Sequence, residues 1–233
     1  QAYFEKEHLA EAIQQAENWP NSLSLQWIWG EKIKVYVVIA SNKDISNKTL
    51  EKLKKEFPCY KSLETSEILG LQNIPALTLE PPYKTNKLKF HSEVLGLLGP
   101  PWGSNCTQVM QSLANLISLR PNENCHIAAQ QLGGVSSQIS RQSTSFIHRQ
   151  AVWKPWITAS WEAGDQRERE RSLNWLNEVW EALSPQCPGV HLAQLHQHLP
   201  WHQKETKAAF EEWLPDLEKF KSRYDPQGIL PRL

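Results

Sequence analysis

The chain has 233 residues, enough for one large domain with a substantial core. Lys plus Arg and Asp plus Glu each number 25, and this zero balance argues against a broad basic footprint for nucleic acid or an anionic membrane. With 40% hydrophobic and 21% charged residues, and no apolar run near the roughly 18 residues of a membrane helix, the composition excludes a disordered or helical membrane protein.

Residues 5–18 read as a first helix, with Leu9, Ala12, Ile13 and Ala16 on one face. Segments 23–29 and 33–40 are strand-like, and Gly30-Glu31 between them suggests a hairpin. A Lys- and Glu-rich helix is expected over 49–57, started near Ser46 or Asn47. The prolines at 75, 81 and 82 make 74–87 a surface loop, after which 88–91 is a short strand. Gly99-Pro100-Pro101-Trp102-Gly103 is a second break, followed by a helix over 107–118.

Strands are expected at 125–131, ending at Gly133-Gly134, and again at 145–148 and 156–161. The strongest helix runs over 167–183, where Leu173, Leu176, Val179, Trp180 and Leu183 form an apolar stripe. A last strand is placed at 190–195. The chain closes in helix, with Pro215 starting a new one instead of continuing the old. No fixed period repeats and no linker demands a boundary. The reading is one α+β domain over 1–233, a single mainly antiparallel sheet with helices packed on one face.

Cys59, Cys106, Cys125 and Cys187 are far apart and have no C-x-x-C spacing. They read as ordinary thiols of a reducing compartment, with two disulfides as the alternative. Residues 1–19 are polar and helical in pattern, unlike a signal peptide, so the cytoplasm is the expected location.

Three segments together carry a resemblance. The first is Gly133-Gly134-Val135 followed by Ser145-Phe146-Ile147-His148-Arg149. The second is Ile157-Thr158-Ala159-Ser160-Trp161, ahead of the long helix. The third is Lys221-Ser222-Arg223-Tyr224-Asp225-Pro226 near the C-terminus. In this order and spacing they resemble the C-terminal, substrate-binding half of the FAD-linked oxidases related to berberine bridge enzyme. The resemblance covers the whole chain. It implies an oxidase that transfers a hydride from a hydrophobic small molecule to FAD, the flavin being held by a domain outside this chain. No Gly-rich segment with an adjacent His or Cys for flavin attachment is present. The partner would be a separate flavin-binding domain or a further copy.

Carried over residue by residue, the resemblance puts Arg149 towards the flavin, with a structural salt bridge as its plain alternative. Gly133-Gly134 and Asp225-Pro226 read as turns, and Tyr224 as a packing residue. Many members carry Tyr-x-Asn-Tyr before the final helices, the Asn near the flavin and the second Tyr as base. Aligned on Gly189, this chain has His191-Leu192-Ala193-Gln194 there. Ala193 therefore stands at the cofactor position. Gln194 takes the place of the base and cannot act as one near neutral pH. His191, Gln194 and His196 are the catalytic candidates, since a histidine could replace the missing Tyr.

His191, His196, His198 and His202 fall close together, which makes a zinc site conceivable. No Cys, Asp or Glu lies among them, however, and a solvated polar turn is the simpler reading, with no metal assigned. The aromatic count contains 11 Trp, against six Phe and five Tyr. Trp175 and Trp180 belong to a helix stripe. Trp27, Trp29, Trp153, Trp156 and Trp161 could wall a flat substrate, with His148 beside them. A flavin-free binding protein or cofactor-free enzyme using that aromatic pocket is the rival reading. A third is an interaction partner docking through its bare sheet face.

Overall fold

The computed structural model describes residues 1–56 and 89–229. Among these residues seven strands form one sheet: β1 (Ala2–Phe4), β2 (Leu23–Trp29), β3 (Ile33–Ile39), β4 (Phe90–Leu98), β5 (His126–Gln131), β6 (Trp153–Glu162) and β7 (Gly189–Val190). Their order is β1-β3-β2-β5-β6-β4-β7, and every pairing is antiparallel. Six helices accompany them: α1 (Lys6–Ala16), α2 (Lys43–Glu56), α3 (Cys106–Ser118), α4 (Gln166–Leu183), α5 (His202–Phe210) and α6 (Leu214–Tyr224).

The period of two along each strand divides the sheet into two unlike faces. One row runs across five strands as Ile33, Trp29, Ile127, Ile157 and Leu95, all buried. The next row on that face brings Val35, Trp27, Ala129 and Pro155 together. These rows share one core with the apolar stripes of α1, α3 and α4, and α4 lies against β6. The opposite rows are Lys34, Ile28, Ala128, Trp156, Gly96 and then Tyr36, Gln26, Gln130, Lys154. The fold is thus the expected antiparallel sheet with helices on one side.

Glu17, just past α1, fastens the layers. Its Oε1 accepts from the backbone N–H of Trp102 at 2.6 Å and from Trp153 Nε1 at 2.7 Å, and its Oε2 from the Gly103 N–H at 3.0 Å. Trp102 and Trp153 stack at 5.5 Å, Trp27 tilts onto Trp102 at 6.5 Å, and Trp102 Nε1 donates to Cys187 Sγ. Two part-buried donors of the aromatic cluster and the exposed N–H of Gly103 beside it are satisfied by one carboxylate.

Several boundaries differ from expectation. The strand at 145–148 is absent, because these residues belong to an irregular connection between β5 and β6. Strand 190–195 shrinks to β7, and Leu192–Gln194 is a 3-10 turn. The short strand expected at 88–91 is the nine-residue β4, with Leu88 outside the described residues. Expected strand 156–161 extends back to Trp153 through Pro155. There the β4–β6 ladder stops at Gly96↔Trp156 and resumes at Gly99↔Trp153, while β4 turns its other edge to β7. A proline has no N–H to give to a ladder, which accounts for the gap. The loop expected at 74–87 lies outside the described residues.

Cys106, Cys125 and Cys187 are free and buried, so they form no disulfides. Burial pushes the thiols of Cys106 and Cys187 up to about 12 and raises that of Cys125 as well. Tyr224, expected to pack, is exposed beside Phe220, with ring centres 4.5 Å apart. Among the described residues no helix is long and apolar enough to cross a membrane.

Replacing Glu17 with Ala strands the two part-buried donors and should cost about 2 kcal/mol. Glu17→Gln, which keeps one acceptor oxygen, should cost less. Urea unfolding monitored by Trp fluorescence checks both.

Candidate functional site

On the face opposite α1, α3 and α4, the ends of β5 and β6 meet the β5–β6 connection and the segment after β7 around a recess of about 200 Å³. Alternation decides what enters it. Trp153 and Pro155 turn to the core, so Lys154 between them points out, and Gln130 is its neighbour on β5. Gly133 (φ 132°) and Gly134 (φ 69°) then turn the chain off β5. No atom stands within 4 Å of a Cβ at either position, so they serve conformation and not close packing. The turn brings Phe146, His148 and Arg149 round to the recess, and His191 enters it from beyond β7.

Phe146 is the hub of this group. His148 and His191 meet its ring edge-on at 6.1 and 6.3 Å, and the Arg149 guanidinium lies 5.2 Å from its centre. Arg149 Nη2 donates to Thr144 Oγ1 at 2.7 Å, and no carboxylate pairs with it among the described residues. The salt bridge held as its alternative is not found among the described residues. His148 Nε2 faces the carbonyls of Ala208 and Ala209 at 3.1 and 3.2 Å, which ties the recess to α5. Its ring rests on Gly189, where a Cβ would fall 2.5 Å from Cε1. Glu211 Oε1 approaches His148 Nδ1 at 3.7 Å, and Arg141 holds Glu211 from the other side. Glu211 reaches that position with φ 44°, a conformation costly for a side chain with a Cβ.

Burial sets the protonation of the group. It holds the Lys154 ammonium below its usual range and lowers His148, where Glu211 opposes it. His191 is lowered by burial first, then by Lys154 and by His148. The His191 ring is thus neutral at neutral pH, and its Nδ1 is buried without a partner. Arg149 Nε and Gln194 Oε1 are likewise buried and unpaired. Gln194 lies over Gly96 with His191, in space a side chain at Gly96 would fill.

The other candidates scatter. Trp27 and Trp153 are fully buried and Trp29 nearly so, all on the helix side, so the common aromatic wall does not form. Trp161 also faces that side and lines a separate shallow hollow of about 270 Å³ with His91 and Arg169. Trp156 alone of the five shares the recess face, half-buried in the row next to Lys154. Ala193 is exposed in the 3-10 turn. His196 does not line the recess; its Nδ1 meets Glu205 Oε1 at 2.6 Å and its Nε2 faces Glu93 Oε2 at 3.3 Å. His198 Nε2 also reaches Glu93, at 2.8 Å, and His202 faces Glu205 at 3.8 Å. The four histidines are therefore divided between a carboxylate network and the recess. Among the described residues no cluster could hold a metal ion. Lys154 and Gln130 were not anticipated. The signal was available in the Trp153-Lys154-Pro155-Trp156 alternation, which sends a lysine away from the core.

No protein-family model matches the sequence, and no curated protein does. Solved structures do. The BBE-like 1 protein of Physcomitrella patens is 15% identical with a TM-score of 0.74, over 97% of this chain and 49% of its own. Berberine bridge enzyme from Eschscholzia californica is 19% identical, with a TM-score of 0.67 over 97% and 51%. CrmK, a flavoenzyme of caerulomycin biosynthesis, is 14% identical, with a TM-score of 0.74 over 97% and 50%. The chain thus spans about half the length of the proteins it resembles, and it has the fold of that half. The fold implied by the three motifs is the one found.

Two measurements test the site. His126, His148 and His191, all lowered by burial, should titrate below 6.5 by NMR. Because the unfolded chain binds protons these rings refuse, their contribution to stability should be lost as pH falls from about 6.5 through the folded values. Gly189→Ala should drive the His148 ring off its seat, with a loss of about 1–3 kcal/mol and a shifted His148 resonance.

Proposed function

We propose that this chain is the substrate-binding half of an FAD-linked oxidoreductase. The observation that carries the reading is the position of the recess, a polar site built on the sheet face opposite α1, α3 and α4. The fold shared with half of several flavoenzyme-type proteins supports it. A rival built on an aromatic pocket loses its basis, because Trp27, Trp29 and Trp153 are spent in the core.

In this reading the flavin is held by a domain outside this chain and when bound would supply the hydride-accepting ring. Lys154 and Arg149, the charged donors of the recess, are left to meet the substrate.

The rest is done by this chain. Phe146 and Leu132 give the substrate an apolar surface, while Gln130 and Ser136 offer hydrogen bonds that orient it. His191, neutral at neutral pH and lining the recess, takes the proton that a substrate O–H or N–H loses as its C–H bond is oxidised. This is the task the family resemblance gives to a Tyr. His196, pinned between Glu205 and Glu93, supports the 196–205 turn and does not serve the recess.

The test is the absorption spectrum of the natural full-length gene product. Flavin bands are expected, from the same reading frame or from a co-purifying flavin-domain subunit. In that protein His191→Asn should slow substrate-driven flavin bleaching about 100-fold or more at unchanged flavin content. A colourless product with no such partner overturns the reading.

A further inference from the structure

Arg149, Lys154, His148 and His191 converge on the recess, and no carboxylate lines it among the described residues. Glu211, the acid that approaches, stands behind His148 and is shared with Arg141. Lys154 is half-buried on its strand with no ion pair among the described residues, and its ammonium feels burial with no acid to offset it. Arg149 spends one N–H on Thr144 and leaves Nε buried and bare. Sequestering two cations in this way is costly unless a negative charge arrives to meet them.

The remaining lining is mixed. Phe146, Leu132 and Ala151 are apolar, and Ser136 and Gln130 are neutral donors. At about 200 Å³ the recess is smaller than the roughly 300–1,000 Å³ of sites that enclose a drug-sized ligand, so it suits a compact molecule or one end of a larger one. A bare inorganic anion would leave the Phe146 surface unused.

We propose that the recess binds the carboxylate of a small, partly apolar organic acid, with its head group on Arg149 and Lys154 and its body against Phe146 and Leu132. This deepens the oxidase reading, on which it rests, by naming the substrate class of the same site. Arg149 offers two parallel N–H groups to a carboxylate, whereas Lys154 acts as a point charge.

The experiment is calorimetric titration of the 233-residue chain with benzoate at low ionic strength, beside benzamide and inorganic phosphate. Saturable benzoate binding is expected, with benzamide and phosphate each weaker by at least about tenfold. Lys154→Met and Arg149→Met should each weaken benzoate by at least about tenfold while the thermal midpoint of the free protein stays near the parent's. Lys154→Met keeps the apolar stem on a half-buried strand, so it tests the charge without opening the fold. Benzamide binding as tightly as benzoate, phosphate binding as tightly, or full binding by a folded Lys154→Met chain would each overturn the proposal. No flavin enters this titration. Benzoate binding by a chain whose natural product is colourless keeps the acid site and removes the oxidase reading, and flavin bands without benzoate binding do the reverse.

Discussion

The Glu17 carboxylate sets the geometry from which the site follows. Its bond to Trp153 Nε1 holds the first residue of β6 inward, and its bonds to Trp102 and Gly103 fix the break that leads into α3. Once Trp153 is inward, the pleat obliges Lys154 to be outward. Core and site are therefore two sides of one alternation. The same aromatic cluster that closes the interior presents a lysine to the recess, and neither can move by one residue without losing both.

Much of the fold was legible because its elements obey simple periods. Leu25, Trp27 and Trp29 alternate cleanly, and the hairpin to Ile33–Ile39 follows the Gly30 turn. The stripe of α4 gave its length to within a residue, and in the structure Asp165 caps the helix by accepting from the Glu168 N–H. What failed was tertiary in origin. Segment 145–148 has strand composition, yet Ile147 is buried while His148 reaches out to the α5 carbonyls, and no neighbouring strand offers a ladder there. The length of β4 was hidden because Gly96 and Gly99 look like breakers. In the folded chain each makes room for a neighbour instead, Gln194 for one and the Cys187 backbone for the other.

The site was only half legible, for a related reason. Arg149, His148 and His191 were found through motifs, which fix position along the chain. Lys154 and Gln130 carry no motif and emerge only when register places them on one row. The tryptophans misled because abundance suggested a shared use. Trp153 and Trp156 sit three apart on one strand, which puts them on opposite faces, so one strand feeds both the core and the recess. His196 likewise belongs with Glu205, nine positions on and buried within α5, a partner that spacing among histidines could not reveal.

The buried sulfurs have a further meaning. Thiolate, not thiol, reacts with peroxides and disulfides, and a thiol held at about 12 is almost never ionised at cellular pH. Cys106, Cys125 and Cys187 are all enclosed, and so is Met110, the single methionine of the sequence. An oxidant reaching the surface would therefore meet no exposed sulfur among the described residues. The packing that gives this domain its core also gives it chemical durability.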